Sequence, residues 1–310
     1  MKNITIIGSG SFGCALAYAF SQNNNVKIWS YKKEEADSIN INHECLFVKS
    51  IKLNEDVKCY LDYNEAISGS DIIVIASPSS AIRKICNDIK KYIKNQDILL
   101  TSKGMENDKL LSTVIEEELN IVPSILMGPS FAEEIGNDMP TFVELSGNKE
   151  LIKQLETDKF KIIYNDDYIG LQIGGSLKNV ITIATGIVEG LGYKINTSSY
   201  IFIEGFKEIV KIGTKLGAKK ETFYGLSGLG DLYGTSLGKS SRNKRAGILL
   251  GQGKKIDEVK EEVGVTIEGL DSLKDAKYLI DKYKLDCPLM NNLYNIIYKN
   301  EDKNKIIEMK

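Results

Sequence analysis

Three glycines near the start of the chain, in Gly8-Ser9-Gly10-Ser11-Phe12-Gly13, have the spacing of a loop that can hold phosphate. Gly8 allows a tight turn, Gly10 lets the backbone approach a pyrophosphate, and Gly13 lets the next helix lie close to the preceding strand. The N–H groups that open the helix then face the anion, and a bound dinucleotide is expected. Later residues read as acid–base chemistry. Lys178 has Gly174 and Gly175 as its i−4 and i−3 neighbours. Helical side chains lean over the turn N-terminal to them, so the two glycines are expected to leave open space beside the ammonium group. A lysine in a partly apolar site changes its pKa readily, which suits a proton donor or acceptor. Asp231 lies in a glycine-rich stretch, residues 225–235, that is otherwise surrounded by helical pattern, and is expected to point into a site.

Anion binding has several further candidates. Ser241-Arg242-Asn243 opens a helical segment, where Ser241 can cap and Arg242 and Asn243 can form a small phosphate site, the alternative being a solvated basic face. Lys103 follows an apolar run and could hold a phosphate or a carbonyl oxygen. Ser130 and Glu133 have capping-box spacing at a helix start that could also meet an anionic ligand. His43, the one histidine, lies in a polar stretch without partners and reads as a surface-loop residue, so proton transfer falls to another side chain.

These residues need elements to position them. Residues 3–7 read as a buried strand, 14–20 as a helix and 26–29 as a second strand, a βαβ unit of the expected length. At the end of that second strand an NAD site would carry an acid for the ribose 2′-hydroxyl, whereas this chain has Ser30-Tyr31-Lys32-Lys33 before Glu34 and Glu35. That order leans towards NADP, with Lys32 or Lys33 meeting the 2′-phosphate, against a solvated basic helix start. Apolar runs at 71–76, 97–101, 123–127, 141–145 and 161–164 read as further strands, and Pro78 suits the opening of a helix through Ile82, Ile85 and Ile89. From Gly170 the pattern turns helical. Leu177, Ile181, Ala184, Val188 and Leu191 trace one apolar face, and Ile201, Phe202, Phe206, Ile209 and Ile212 another.

With 310 residues and 42% hydrophobic content the chain can bury a full core, and its length fits two domains. A formal net charge of -2 gives no indication of nucleic acid or an anionic membrane as a partner. Five scattered cysteines without a C-x-x-C pair argue against a disulfide framework and against a zinc site, and point to a reducing cytoplasm. The first strand begins close to Met1, and no apolar run reaches the roughly 20 residues that span a bilayer, so neither secretion nor membrane insertion is expected.

Taken in order, the glycine loop, Ser102-Lys103-Gly104, Gly128-Pro129-Ser130-Phe131-Ala132, Leu177-Lys178-Asn179, Gly228-Leu229-Gly230-Asp231, Ser241-Arg242-Asn243 and Ile267-Glu268-Gly269 form a set. That set resembles the bacterial NAD(P)-dependent glycerol-3-phosphate dehydrogenases. The resemblance implies an enzyme that interconverts dihydroxyacetone phosphate and sn-glycerol 3-phosphate for glycerophospholipid synthesis, and it is compatible with a homodimer. It implies that Ser11 and Phe12 contact the cofactor pyrophosphate region, Tyr31 its adenosine phosphate, and Lys103 both cofactor and substrate. Ala132 would touch the cofactor, while Gly128 and Ser130 would line the substrate site. Lys178 would be the proton acceptor in the oxidation direction. Asp231, Ser241, Arg242 and Asn243 would hold the substrate, Arg242 also reaching the cofactor, and Thr266 and Glu268 would close over the cofactor. Two positions depart from the family pattern: many members carry arginine or histidine near Tyr31, and an aliphatic residue is common at Thr266.

The expected architecture is therefore α/β, with a Rossmann-type, doubly wound, mostly parallel sheet in residues 1–168 and an all-helical domain in residues 169–310. The coenzyme is NADP or NAD, with NADPH favoured. Two rival readings remain. One is a 3-hydroxyacid dehydrogenase of the 6-phosphogluconate type, against which Thr182 counts, since those enzymes carry asparagine four positions after the lysine. The other is a nucleotide sensor that turns nothing over.

Overall fold

The computed structural model describes residues 1–238, 241–264 and 267–308. The chain divides into two compact units, Met1–Lys103 with Lys109–Tyr168, and Gly104–Asp108 with Ile169–Lys310.

The first unit is built on a sheet. It contains β1 (Asn3–Ile7), α1 (Ser11–Phe20), β2 (Asn25–Trp29), α2 (Lys33–Asn42), β3 (Lys58–Tyr60), α3 (Tyr63–Ile67), β4 (Ile72–Ile75), α4 (Ile82–Ile89) and β5 (Asp97–Leu100). Beyond β6 (Met105–Glu106) come β7 (Lys109–Leu110), α5 (Leu111–Leu119), β8 (Ser124–Met127), α6 (Ala132–Gly136), β9 (Thr141–Ser146), α7 (Glu150–Leu155) and β10 (Phe160–Tyr164). The main sheet has eight strands in the order β10-β9-β8-β5-β4-β1-β2-β3. Neighbours are parallel except β8 and β9, which pair antiparallel. It is a Rossmann-type doubly wound sheet.

Every residue of β4 and β8 is buried. Strands covered on both faces can carry unbroken apolar runs, which is why Ile72-Ile73-Val74-Ile75 shows no alternation. The short edge strand β3 was not foreseen from the sequence. The strand order reverses between β1, whose chain winds outward to β2 and β3, and β4, whose chain winds the other way to β5 and β8. In open α/β sheets such a reversal, at the carboxyl ends of the strands, is where ligands bind.

The second unit is helical. From Ile169 onward its described residues belong to α8 (Tyr168–Gly190), α9 (Ile195–Lys215), α10 (Asp231–Leu237), α11 (Arg242–Gly251), α12 (Ile256–Val263), α13 (Glu268–Tyr283) and α14 (Pro288–Lys299), with short 3-10 and π turns between. The segment 104–108 joins it through a hydrogen bond from the Gly104 N–H to Ser176 Oγ at 2.9 Å and an ion pair of Asp108 with Lys282 at 2.5 Å. The single apolar face expected for α8 is corrected: it is buried all round from Gly170 to Val188, as a helix must be when others pack on every side. In α9, Ile201, Phe206, Ile209 and Ile212 are buried as expected, while Phe202 is only half-buried.

Two pairs of glycines bring α8 and α11 together. A Cβ on Gly186 would lie 2.5 Å from the Lys244 carbonyl oxygen, and one on Gly251 would lie 2.3 Å from that of Ile187. The backbones are in contact, which sets the start of α11 against the helix that carries Lys178.

Candidate active site

In the first unit the glycine loop joins β1 to α1, and its glycines have different reasons to be glycine. Gly8 has φ +127°, and a Cβ there would lie 2.5 Å from the Ala76 carbonyl oxygen beyond β4. A Cβ on Gly13 would lie 1.9 Å from the Gly8 carbonyl oxygen, so α1 can sit on the loop only without a side chain. Gly10 is the N-cap of α1 and has nothing within 4 Å of the position a Cβ would take. The space a side chain would fill beside the helix start is open, and no side chain caps α1. That is the cradle a dinucleotide pyrophosphate requires, so these residues fit the coenzyme. Ser11 opens α1 half-buried, and half-buried Phe12 packs against the hydrophobic core.

At the carboxyl ends of the neighbouring strands β5 and β8, Lys103 Nζ donates to the Gly128 carbonyl oxygen at 3.4 Å, and Ser130 Oγ donates to the same oxygen at 3.1 Å. Lys103, Gly128 and Ser130 are thus one cluster, with Ala132 opening α6 beside it. The capping box expected between Ser130 and Glu133 does not form. The N-cap of α6 is Phe131, and the Ser130 hydroxyl turns back to Gly128.

The end of β2 is more polar than its sequence indicated. Tyr31 is 72% exposed, with Lys32 Nζ 5.3 Å above its ring. Lys33 pairs with Asp37 at 2.5 Å and Lys32 with Glu35 at 3.6 Å. Both lysines offered for a 2′-phosphate therefore carry a carboxylate partner. His43 is half-buried as the left-handed C-cap of α2, φ 54°, with the Leu53 N–H donating to its carbonyl oxygen.

In the second unit Lys178 and Asp231 form a buried ion pair, 6% and 1% exposed. Lys178 Nζ also donates to Thr235 Oγ1 at 2.8 Å. Asp231 and Thr235 stand four residues apart on α10, hence on one face, so both reach the same ammonium group. A buried charge is tolerated when paired and hydrogen-bonded, and that is the condition of Lys178 here. The open space expected at Gly174 is corrected. A Cβ there would lie 2.7 Å from the Ser227 carbonyl oxygen, so the gap holds the backbone of the π turn Leu226–Gly230. That packing delivers Asp231, the next residue, to Lys178.

Ser241 is the N-cap of α11, accepting the Lys244 N–H at 3.3 Å. Arg242 is exposed, whereas Asn243 is buried and accepts the Gly269 N–H at 2.9 Å. Half-buried Glu268, which opens α13, accepts from Asn179 Nδ2 at 3.1 Å. Thr266 lies outside the described residues. Sequence reasoning gave no role of their own to Thr235, Asn179 and the buried Glu35. For Thr235 the available signal was its place four residues after Asp231.

A dinucleotide cradle on a doubly wound sheet, with a buried lysine–carboxylate pair in a helical unit, defines a dinucleotide-dependent dehydrogenase. Residues 3–152 match the family model for the NAD-dependent glycerol-3-phosphate dehydrogenase N-terminus, and residues 167–308 that for the C-terminus. A glycerol-3-phosphate dehydrogenase (NAD(P)+) of Fusobacterium nucleatum is 42% identical over 97% of this chain and 94% of its own length. The one from Clostridium tetani is 39% identical over 97% and 90%. The crystal structure of glycerol-3-phosphate dehydrogenase from Coxiella burnetii superposes with a TM-score of 0.94 at 32% identity, covering 99% of this chain and 98% of that one. The chain belongs to the NAD-dependent glycerol-3-phosphate dehydrogenase family. No helix among the described residues is long and apolar enough to cross a membrane.

Proposed function

We propose that this protein interconverts dihydroxyacetone phosphate and sn-glycerol 3-phosphate with NADH or NADPH, in the cytoplasm, supplying the glycerol backbone of phospholipids. Family membership supports the reaction, and five buried, unpaired thiols fit a reducing compartment. The observation that carries the chemistry is the buried Lys178–Asp231–Thr235 cluster.

The coenzyme, when bound, supplies or takes the hydride at the substrate C2 carbon. Gly8, Gly10, Ser11, Phe12 and Gly13 hold its pyrophosphate at the start of α1, Tyr31 and Lys32 its adenosine end, and Lys103 and Ala132 contribute from the ends of β5 and β8. Lys178 in its protonated form steadies the charge that develops on the C2 oxygen and delivers its proton there; neutral Lys178 is the base in the reverse direction. Asp231 fixes the ammonium group and balances its charge. Thr235 accepts from Nζ and keeps its own hydroxyl proton directed to Asp231 Oδ1 at 3.5 Å. Arg242, Asn243 and Ser241 bind the phosphate. The phosphate is remote from the reacting carbon, so this binding energy serves orientation.

Reduction of dihydroxyacetone phosphate with coenzyme deuterated at C4 tests the reading. Glycerol 3-phosphate carrying deuterium at C2 supports it, and a product without C2 deuterium, or no product, refutes it.

A further inference from the structure

Glu35 is a buried carboxylate that the reaction described above does not use. It reaches back from the first turn of α2 under the end of β2, with a side chain only 6% exposed. There it accepts from Ser9 of the glycine loop and from Ser30 Oγ at 3.4 Å. Ser9 and Ser30 are themselves 3% and 1% exposed, with their hydroxyl oxygens 2.7 Å apart. Among the described residues its one ion-pair partner is Lys32, at 3.6 Å and half exposed.

Two general facts bear on this placement. The end of β2 is where dinucleotide folds read the adenosine ribose, an acid there favouring the free 2′-hydroxyl and a cation accepting a 2′-phosphate. A negative charge in a poorly solvated position acts at longer range than one in water. The sequence order hides the acid, because it lies beyond two lysines, but the fold returns its carboxylate to Ser30, the residue that follows β2.

We propose that Glu35 is a specificity-determining residue for the coenzyme: its carboxylate opposes a 2′-phosphate at the end of β2 and draws Lys32 away from one. The chain then accepts NADH alongside NADPH although Lys32 and Lys33 lie next to the site. The proposal rests on the glycine loop and β2 end being the coenzyme site.

Direct binding of ADP-ribose and of 2′-phospho-ADP-ribose, measured by calorimetry, tests it without turnover, since both fragments lack the nicotinamide. Glu35→Gln keeps acceptor and size while removing charge. It is expected to tighten 2′-phospho-ADP-ribose about tenfold relative to ADP-ribose, and Lys32→Met to shift the ratio the other way. An unchanged ratio in folded Glu35→Gln overturns the proposal. Ser9→Ala serves as a second variant: it removes a donor from the carboxylate but keeps the charge, so the preference should stay or move towards ADP-ribose, and a shift towards 2′-phospho-ADP-ribose as large as that of Glu35→Gln contradicts the role given to the charge. Failure of the parent chain to bind either fragment overturns instead the reading of the loop as the coenzyme site.

Discussion

Lys178 and Asp231, 53 residues apart in sequence, meet as an ion pair that is almost wholly shielded from water. Such pairs contribute little net stability against apolar residues of similar volume, but removing one partner strands a buried charge at a cost of about 3–5 kcal/mol. Retaining the pair therefore calls for a chemical reason, which proton transfer supplies. Lys178→Met is expected to lower kcat by at least about a hundredfold and to lower the melting temperature. Adding Asp231→Asn removes the stranded charge, so stability partly returns while turnover does not. Activity that returned together with stability would make the pair structural.

The glycines of the first loop make a paired prediction. Gly13→Ala forces a Cβ to within 1.9 Å of a carbonyl oxygen and should unfold or strongly destabilise the sheet unit. Gly10→Ala meets no protein atom within 4 Å and has extended backbone angles that alanine accepts, so stability should change by less than about 1 kcal/mol. Its methyl group would instead occupy the cradle. Thermal unfolding together with coenzyme titration separates the two, and equal effects of the variants on stability would contradict the assignment.

The loop was legible in the sequence because strand, glycines and helix are contiguous. Lys178 and Asp231 were legible as types, but their meeting depends on the π turn packing into the Gly174 gap, and a missing side chain admits neighbouring backbone as readily as a ligand. Thr235 escaped notice because its relation to Asp231 exists only once α10 is known to start there. The part played by Glu35 is not legible because two lysines separate it from the end of β2, and only the fold of α2 returns its side chain to Ser9 and Ser30. Ser130 and Glu133 have the spacing of a cap, yet the helix begins one residue later than that spacing requires.

Glu208 gives a pH prediction remote from the reaction. It is 4% exposed and accepts the N–H groups of Leu289 and Met290 at 2.7 and 2.9 Å, capping α14 behind Pro288. Burial outweighs those donors and raises its pKa from 4.5 to about 7. Below 4.5 the proton is bound in folded and unfolded chains alike; between 4.5 and about 7 only the folded chain holds it, so this contribution to stability is lost as pH rises through that window. The unfolding free energy of the parent from urea titration should therefore fall relative to Glu208→Gln between pH 5 and pH 8 by an amount on the order of 1–3 kcal/mol. A constant difference would show that the carboxyl is ionised throughout.

Arg242 is exposed at the start of α11, so Arg242→Ala should leave the melting temperature unchanged. If its guanidinium holds the substrate phosphate, KM for dihydroxyacetone phosphate rises much more than kcat falls. A variant with unaltered KM would remove Arg242 from the substrate site.

The most direct test follows NADPH and NADH absorbance in purified protein with dihydroxyacetone phosphate, for the parent and for Lys178→Met. The account predicts coenzyme oxidation that depends on the triose phosphate in the parent, with turnover at least about a hundredfold lower in the variant. Folded parent protein that binds the coenzyme but leaves it unoxidised, or a variant that turns over as fast as the parent, would contradict it.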